Sequence, residues 1–224
     1  MQLPHPFRER DGQIEVELAG ARAIFTTRAW GDVRDTEAQI ADRLGLRLIR
    51  PRQVHGSAVA TVSGAPPAAG PETEADGVVT ATPGLAPTVI TADCLPIVIA
   101  GANAVATVHA GWRGLEAGVI ANAVRALRAC SAGVLFAAIG PGAGACCYAV
   151  GDELHRRFHA RCQDFRAGQN LDLKAIARVQ LMQAGVATIF DAGICTICAD
   201  PALLYSYRRE GPQTGRQAAI AWLS

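Results

Sequence analysis

The chain has 224 residues, half of them hydrophobic and 18% charged, with 21 basic side chains against 20 acidic ones and a formal net charge of +1. That balance excludes a disordered chain and leaves no general electrostatic pull toward nucleic acid or a membrane surface. One domain over residues 1–224 with a large buried core is expected.

The N-terminal MQLPHPFRERDGQIEVELAG carries charges and prolines where a signal peptide needs an apolar stretch, and no run approaches the roughly 18 apolar residues of a membrane span. A cytoplasmic protein is expected. Seven cysteines in such a chain read as thiols, ligands or nucleophiles before they read as disulfides.

In chain order, GQIEVELAGARAIFTT (12–27) reads as strands, and Ile40, Leu44 and Leu46 have the spacing of a helix near 35–45. SGAPPAAGPETEAD (63–76) mixes Pro, Gly and acidic residues as a surface loop does. GVVTA, PTVITAD, LPIVIAG and AVATVHA are short β-branched runs bounded by Gly, Pro or Asp, the pattern of strands buried on both faces, and they are expected to form a central sheet. GLEAGVIANAVRALRA (114–129) places Leu115, Val119, Ile120, Ala123, Val124 and Leu127 on one side of a helix that starts just after Trp112-Arg113. GVLFAAIG reads as a strand, GDELHRRFHAR and LDLKAIARVQLMQAG as helices, and VATIFDAG as a return to a sheet.

Three residues share one local setting: His55 in RQVHGSAV, Cys94 in TADCLP and His109 in TVHAGWRG, each where an apolar strand gives way to Gly or Pro. Two imidazoles and a thiolate suit Zn²⁺ and leave a fourth coordination position open, as catalytic zinc requires. Spacing alone leaves a second reading open, in which the histidines are hydrogen-bonded structural residues and the cysteine is a small hydrophobe. Gly111 and Gly114 in AGWRGL allow close backbone approach at a helix start, and Arg113 adds a fork of donors for phosphate or carboxylate; the alternative is a tight turn with Arg113 in a surface ion pair.

The loop IGPGAGACCYAVG (139–151) is neither a P-loop nor a dinucleotide fingerprint. CTIC (195–198) lacks a second pair in sequence, so a zinc ribbon would miss half its ligands, and it reads as structural. Cys130, Cys146, Cys147 and Cys162 read as packing, with Cys147 a secondary candidate for a reactive thiol. The three arginines of SYRREGPQTGRQAAIAW form either a solvated ion-pair face or an anion-binding rim, while His155 and His159, on a polar helix, are expected in solvent.

RQVHGSAV, ADGVVTATPG, TADCLPIVIA, VHAGWRGLEAGV, IGPGAGACCYAVGDEL, ICT and SYRREGPQTGR occur in this order across roughly residues 50–217. The combination resembles the YfiH-like family, also labelled the multicopper polyphenol oxidase or laccase-domain family. That resemblance implies an α/β (α+β) fold of four layers, α/β/β/α, with mixed sheets, and a zinc held by His55, Cys94 and His109. It further implies a purine nucleoside phosphorylase acting on adenosine, inosine and methylthioadenosine, with possible adenosine deaminase activity, as a monomer or small homo-oligomer. On this reading Cys94, His109 and Arg113 are catalytic, and Arg28, Gln53 and Arg113 meet substrate or phosphate. Asp93 is a possible acid group, although a strand neighbour of Cys94 points the other way.

Copper is less expected than zinc, because laccase chemistry needs several coppers held by many histidines and the chain has five in all. Two rivals remain: a hydrolase with Cys94 as nucleophile and His109 or His55 as base, and a non-catalytic zinc-stabilised binding protein. The sequence departs from the family near its start, where some twenty residues are missing and Thr36-Glu37 stands where an Asn-Arg pair is usual. A carboxylate there is expected to repel phosphate, with Arg34 or Arg43 as substitutes only if the loop is rebuilt.

Overall fold

The computed structural model describes residues 3–64, 72–159 and 164–224; Cys162 and residues 65–71 of the acidic loop lie outside the described residues. Strands β1 (Arg8–Arg10), β2 (Gln13–Leu18) and β3 (Ala21–Thr26) form an antiparallel meander. Its two connections, Asp11-Gly12 and Ala19-Gly20, have positive φ at both residues, the turn geometry whose twist matches that of paired strands. Helix α1 (Val33–Leu44) follows, capped by the Asp32 side chain, which accepts the Arg34 N–H at 3.0 Å, and ended by left-handed Gly45.

Next come β4 (Arg47–Ile49), β5 (Val59–Val62), β6 (Gly77–Thr80), β7 (Leu85–Thr91), β8 (Leu95–Ala100) and β9 (Val105–Ala110). The helix expected over 114–129 is two helices: α2 (Trp112–Ala117) begins two residues early, and Gly118, at φ 85°, turns the chain into α3 (Val119–Cys130). Only a residue without Cβ takes that backbone cheaply, so the apolar stripe survives while the helix axis breaks. The chain continues through β10 (Phe136–Ile139), α4 (Asp152–His159), the short pair β11 (Arg166–Ala167) and β12 (Asn170–Leu171), α5 (Leu173–Gln183), β13 (Thr188–Asp191), α6 (Tyr207–Glu210) and β14 (Gln217–Leu223).

The strands form two six-stranded sheets, β1-β2-β3-β14-β7-β4 and β13-β10-β8-β9-β6-β5. Each is mixed, with β4–β7, β5–β6 and β10–β13 parallel and the other pairs antiparallel. The single central sheet expected from residues 77–110 is therefore corrected: β6, β8 and β9 share the second sheet, whereas β7 crosses to the first and pairs with β14. An apolar run buried on both faces does not encode which sheet it joins.

Side-chain alternation builds the layers. Leu95, Ile97 and Ile99 of β8 and Ala106 and Val108 of β9 pack against α2, α3 and α5 through Leu115, Ile120, Leu127 and Ile176. Their neighbours Val98, Ala100 and Val105 face the first sheet and meet Phe25, Val89, Ala219 and Ala221. On that sheet's outer face Ile24, Ala218 and Ile220 pack on Val33 and Ile40 of α1. The order is helix, sheet, sheet, helices. His155 on α4, expected in solvent, is buried with its Nε2 3.3 Å from the Gln169 carbonyl oxygen, because one face of α4 turns Phe158 into the same core; His159 is exposed.

Candidate metal centre and its cavity

The antiparallel register of β8 and β9 sets Leu95 opposite Ala110 and Pro96 opposite His109, so Cys94 and Gly111 meet where the two strands end. A Cβ on Gly111 would stand 2.9 Å from Cys94 Sγ and 3.4 Å from His55 Cδ2, and one on Gly114 would stand 3.0 Å from the Gly56 carbonyl oxygen. The close approach these glycines allow is thus to Cys94 and the His55 loop. Candidate ligand atoms of His55, Cys94 and His109 all lie within 4.8 Å of one another, and the two imidazole rings stand edge to face with centroids 4.7 Å apart.

The residue that organises this cluster is Asp76, which sequence reasoning assigned to a surface loop. Its side chain is fully buried. The carboxylate accepts the backbone N–H groups of Val54 (3.2 Å), His55 (2.9 Å) and Gly56 (2.7 Å), and it lies 2.8 Å from Nδ1 of His109. One buried anion therefore pins the His55 turn, in which His55 itself has φ 60°, and orients the His109 ring so that Nε2 is the nitrogen left for a ligand. The available signal was the position of Asp76 immediately before β6, whose partner strand β9 carries His109.

The electrostatics are reciprocal. Burial alone would raise the Cys94 thiol, but the positive His109 and hydrogen bonds from His109 and His55 bring it down to about 6. Burial would lower His109, yet the Cys94 thiolate and the hydrogen bond to Asp76 lift it to about 9. The two shifts reinforce one another, and both run toward a thiolate–imidazolium pair. A carboxylate-backed histidine, a thiolate and a second histidine at this spacing are a donor set that fits Zn²⁺ with one position open.

The cluster lies on the wall of a cavity of about 690 Å³, a size suited to a small organic ligand. Trp112, Tyr148 and Tyr207 give it aromatic surface, and Arg113, Arg208 and Arg216 give it positive charge. None of those three arginines forms an ion pair with a carboxylate among the described residues. Arg113 lies over the Trp112 ring at 4.2 Å, Arg208 donates to the Ala149 carbonyl at 2.7 Å, and Arg216 donates to those of Thr214 and Gly215. The C-terminal arginines thus divide: Arg208 and Arg216 line the cavity, whereas Arg209 is spent on the carbonyls of Thr196, Ile197 and Leu204 and on Glu210.

The other expected site residues are engaged by protein partners, inside the cavity or beside it. Arg28 does not line the cavity; it pairs with Glu210, donates to the Leu204 carbonyl and lies over Tyr205. Gln53 lines the cavity, but its amide is used in two 2.8 Å hydrogen bonds with the Ile90 backbone. Asp93, with φ 87°, accepts from the Thr196 hydroxyl at 2.6 Å and the Arg208 N–H at 2.6 Å, which makes it a brace between Cys94 and the arginine wall.

Glu37 is bound at 2.6 Å to Arg50, a residue of the cavity lining, and Thr36 caps locally on the carbonyls of Trp30 and Asp32, so the carboxylate expected to repel phosphate is neutralised by an arginine at the cavity's edge. Arg34 is held by Asp32 and Arg43 lies over Trp30, so neither replaces the usual arginine. The CTIC motif does have a second pair: Cys146 and Cys147 bring their sulfurs within 4.8 Å of Cys195 and Cys198. No helix among the described residues is long and apolar enough to cross a membrane.

A family model described as multi-copper polyphenol oxidoreductase laccase matches residues 28–224. The chain belongs to this family. Among curated relatives of the family, a protein named purine nucleoside phosphorylase from Xylella fastidiosa is 38% identical over 77% of this chain and 70% of its own length. One of the same name from Mycobacterium bovis is 37% identical over 98% of this chain and 97% of its own. Among solved structures, the hypothetical protein YfiH of Bacillus licheniformis superposes with a TM-score of 0.85 at 25% identity, covering 99% of this chain and 100% of that one. YlmD of Geobacillus stearothermophilus gives 0.84 at 26% identity, over 98% and 99%. The α/β/β/α architecture is that of these YfiH-like structures.

Proposed function

We propose that this chain is a cytoplasmic, zinc-dependent purine nucleoside phosphorylase acting on adenosine, inosine and methylthioadenosine, as a monomer or small homo-oligomer. The observation that carries the proposal is one cavity in which the His55–Cys94–His109 cluster faces three arginines that lack carboxylate partners. The names of the relatives point the same way. Zn²⁺ held by His55, Cys94 and His109 would supply Lewis acidity at an open coordination position.

The chain's own residues supply the rest. Asp76 keeps His109 in one orientation and one tautomer. Arg113, Arg208 and Arg216 hold phosphate, with Arg113 free to fork onto two of its oxygens. Trp112, Tyr148 and Tyr207 present ring faces to the purine. Phosphate oxygen then bonds to C1′ of the ribose as the C1′–N9 bond breaks, and the purine departs with that electron pair and takes up a proton. Phosphorolysis is favoured over deamination because Asp93, the carboxylate among the described lining residues, is already engaged by Thr196 and Arg208.

The test is release of base and ribose 1-phosphate from each nucleoside, with and without phosphate, by the native protein and Cys94→Ala. Products that require phosphate and vanish in the variant support the assignment. Ammonia from adenosine without phosphate indicates deamination, and no product under any condition indicates a binding protein.

One observation favours a second reading. Cys94, His109 and Asp76 form a thiolate–imidazolium–carboxylate series that would also serve a cysteine hydrolase. The two differ over His55, which a metal needs and a thiol nucleophile does not. Activity that survives His55→Ala and is inhibited by added Zn²⁺ would select the hydrolase.

A further inference from the structure

Away from the cavity cluster, four more sulfurs converge. Strands β10 and β13 are parallel neighbours, so the loops that leave their C-terminal ends emerge side by side. The first carries Cys146 and Cys147 and the second Cys195 and Cys198. The loops are tied by hydrogen bonds from Gly142 N–H to the Ile194 carbonyl (3.3 Å) and from Thr196 N–H to the Gly142 carbonyl (3.1 Å). All four sulfurs lie within 4.8 Å of one another.

Distances separate the chemistries available to such a group. A tetrahedral ion with metal–sulfur bonds of about 2.3 Å holds its sulfurs about 3.8 Å apart, whereas a disulfide draws two of them to about 2.05 Å. Cys146 and Cys198 are 3.7 Å apart, the spacing of a tetrahedral edge. The Cys195 sulfur accepts the Gly144 N–H at 3.2 Å. An N–H bond to the first sulfur of a Cys-x-x-Cys turn suits a ligand that binds as an anion. Glycine at 144 suits this close approach, since a Cβ there would lie 3.0 Å from Cys195 Cβ and 3.3 Å from Cys146 Sγ and would crowd both.

We propose that Cys146, Cys147, Cys195 and Cys198 form a closed tetrathiolate centre for a thiophilic divalent cation, Zn²⁺, distinct from the cavity cluster. Binding forms four metal–sulfur bonds and releases the thiol protons to solvent. The exposed Cys146 and Cys198 give the ion its route of entry. With no open position the centre is structural. Its effect reaches the cavity by two short links: Tyr148, next to Cys147, lines the cavity, and Thr196, next to Cys195, donates to the Asp93 carboxylate beside Cys94.

The experiment measures metal per chain by elemental analysis for the native protein, Cys94→Ala, Cys195→Ser/Cys198→Ser and the triple variant. Two ions, one, one and none are expected. Co²⁺ exchanged into the Cys94→Ala protein should give the intense visible absorption of a tetrahedral all-thiolate site, lost in the triple variant. If the double serine variant fails to fold, the Cys94→Ala protein decides alone, because its remaining ion must then show that four-sulfur spectrum. A Cys94→Ala protein that binds no ion, with its cysteines free to alkylation or joined as disulfides by mass spectrometry, overturns the proposal.

Discussion

The two ligand clusters of this protein are built on opposite plans. The cavity cluster mixes two histidines with one thiolate, and its support is a buried carboxylate: Asp76 holds the His55 turn and the His109 ring together. The cysteine cluster carries four thiols, and its support is a backbone N–H: that of Gly144 donates to the Cys195 sulfur. Neutral imidazole needs an acceptor behind it to fix its tautomer, and thiolate needs donors around it to carry its charge. Three ligands facing a cavity leave room for substrate, whereas four ligands at a loop junction leave none.

The sharpest way to break this contrast is to remove Cys94. Cys94→Ala should abolish turnover and the first metal while leaving the second, as activity assays and metal counting would show. Asp76→Asn comes next: the carboxylate partner of His109 and the acceptor of three N–H groups is weakened, so metal affinity or activity should fall by about 10–100-fold. An Asp76→Asn protein with unchanged metal affinity by competition with a chelator would mean that the histidine needs no negative charge behind it.

Gly111→Ala sharpens the comparison from the steric side. A Cβ at 2.9 Å from Cys94 Sγ must displace the sulfur, at a cost of about 1–3 kcal/mol in thermal unfolding and with weaker metal binding at the cavity cluster alone. Arg113→Ala leaves both clusters intact and should raise the KM for phosphate by on the order of tenfold through loss of a charge-assisted contact.

The smallest effect concerns the frame around the cavity. Glu210, which Arg28, Thr214 and Arg209 engage, is held down to about 2 against a burial that would raise it. A depressed carboxylate stabilises the fold above its unfolded value of 4.5 and loses that contribution as pH falls from there toward about 2. Glu210→Gln should therefore destabilise the protein by about 1 kcal/mol at neutral pH, with the difference closing under acid in denaturant titrations at several pH values. A constant difference across that range would assign the loss to packing.

Sequence legibility followed the range of the interactions. Strand and helix positions were readable because apolar periodicity is local: LPIVIA and the α3 stripe mark themselves. His55, Cys94 and His109 could be singled out because each ends an apolar run at a Gly or Pro, and the family motifs joined them into one donor set. Arg28 was legible as a motif residue but not as the partner of Glu210, since that pairing depends on how a C-terminal turn folds back over residue 28. CTIC looked like half a site for the same reason.

What the sequence by itself determined is the set of elements with one dominant local cause: the apolar runs of the buried strands and the apolar stripe of residues 115–127. The tertiary structure alone decided that β7 leaves its neighbours for the other sheet, that an aspartate at the end of an acidic loop is buried behind His109, and that two loops about fifty residues apart bring four sulfurs together. Each of these depends on contacts between segments whose separation carries no periodic signal, because burial and pairing are settled by which surfaces meet and not by which residues adjoin.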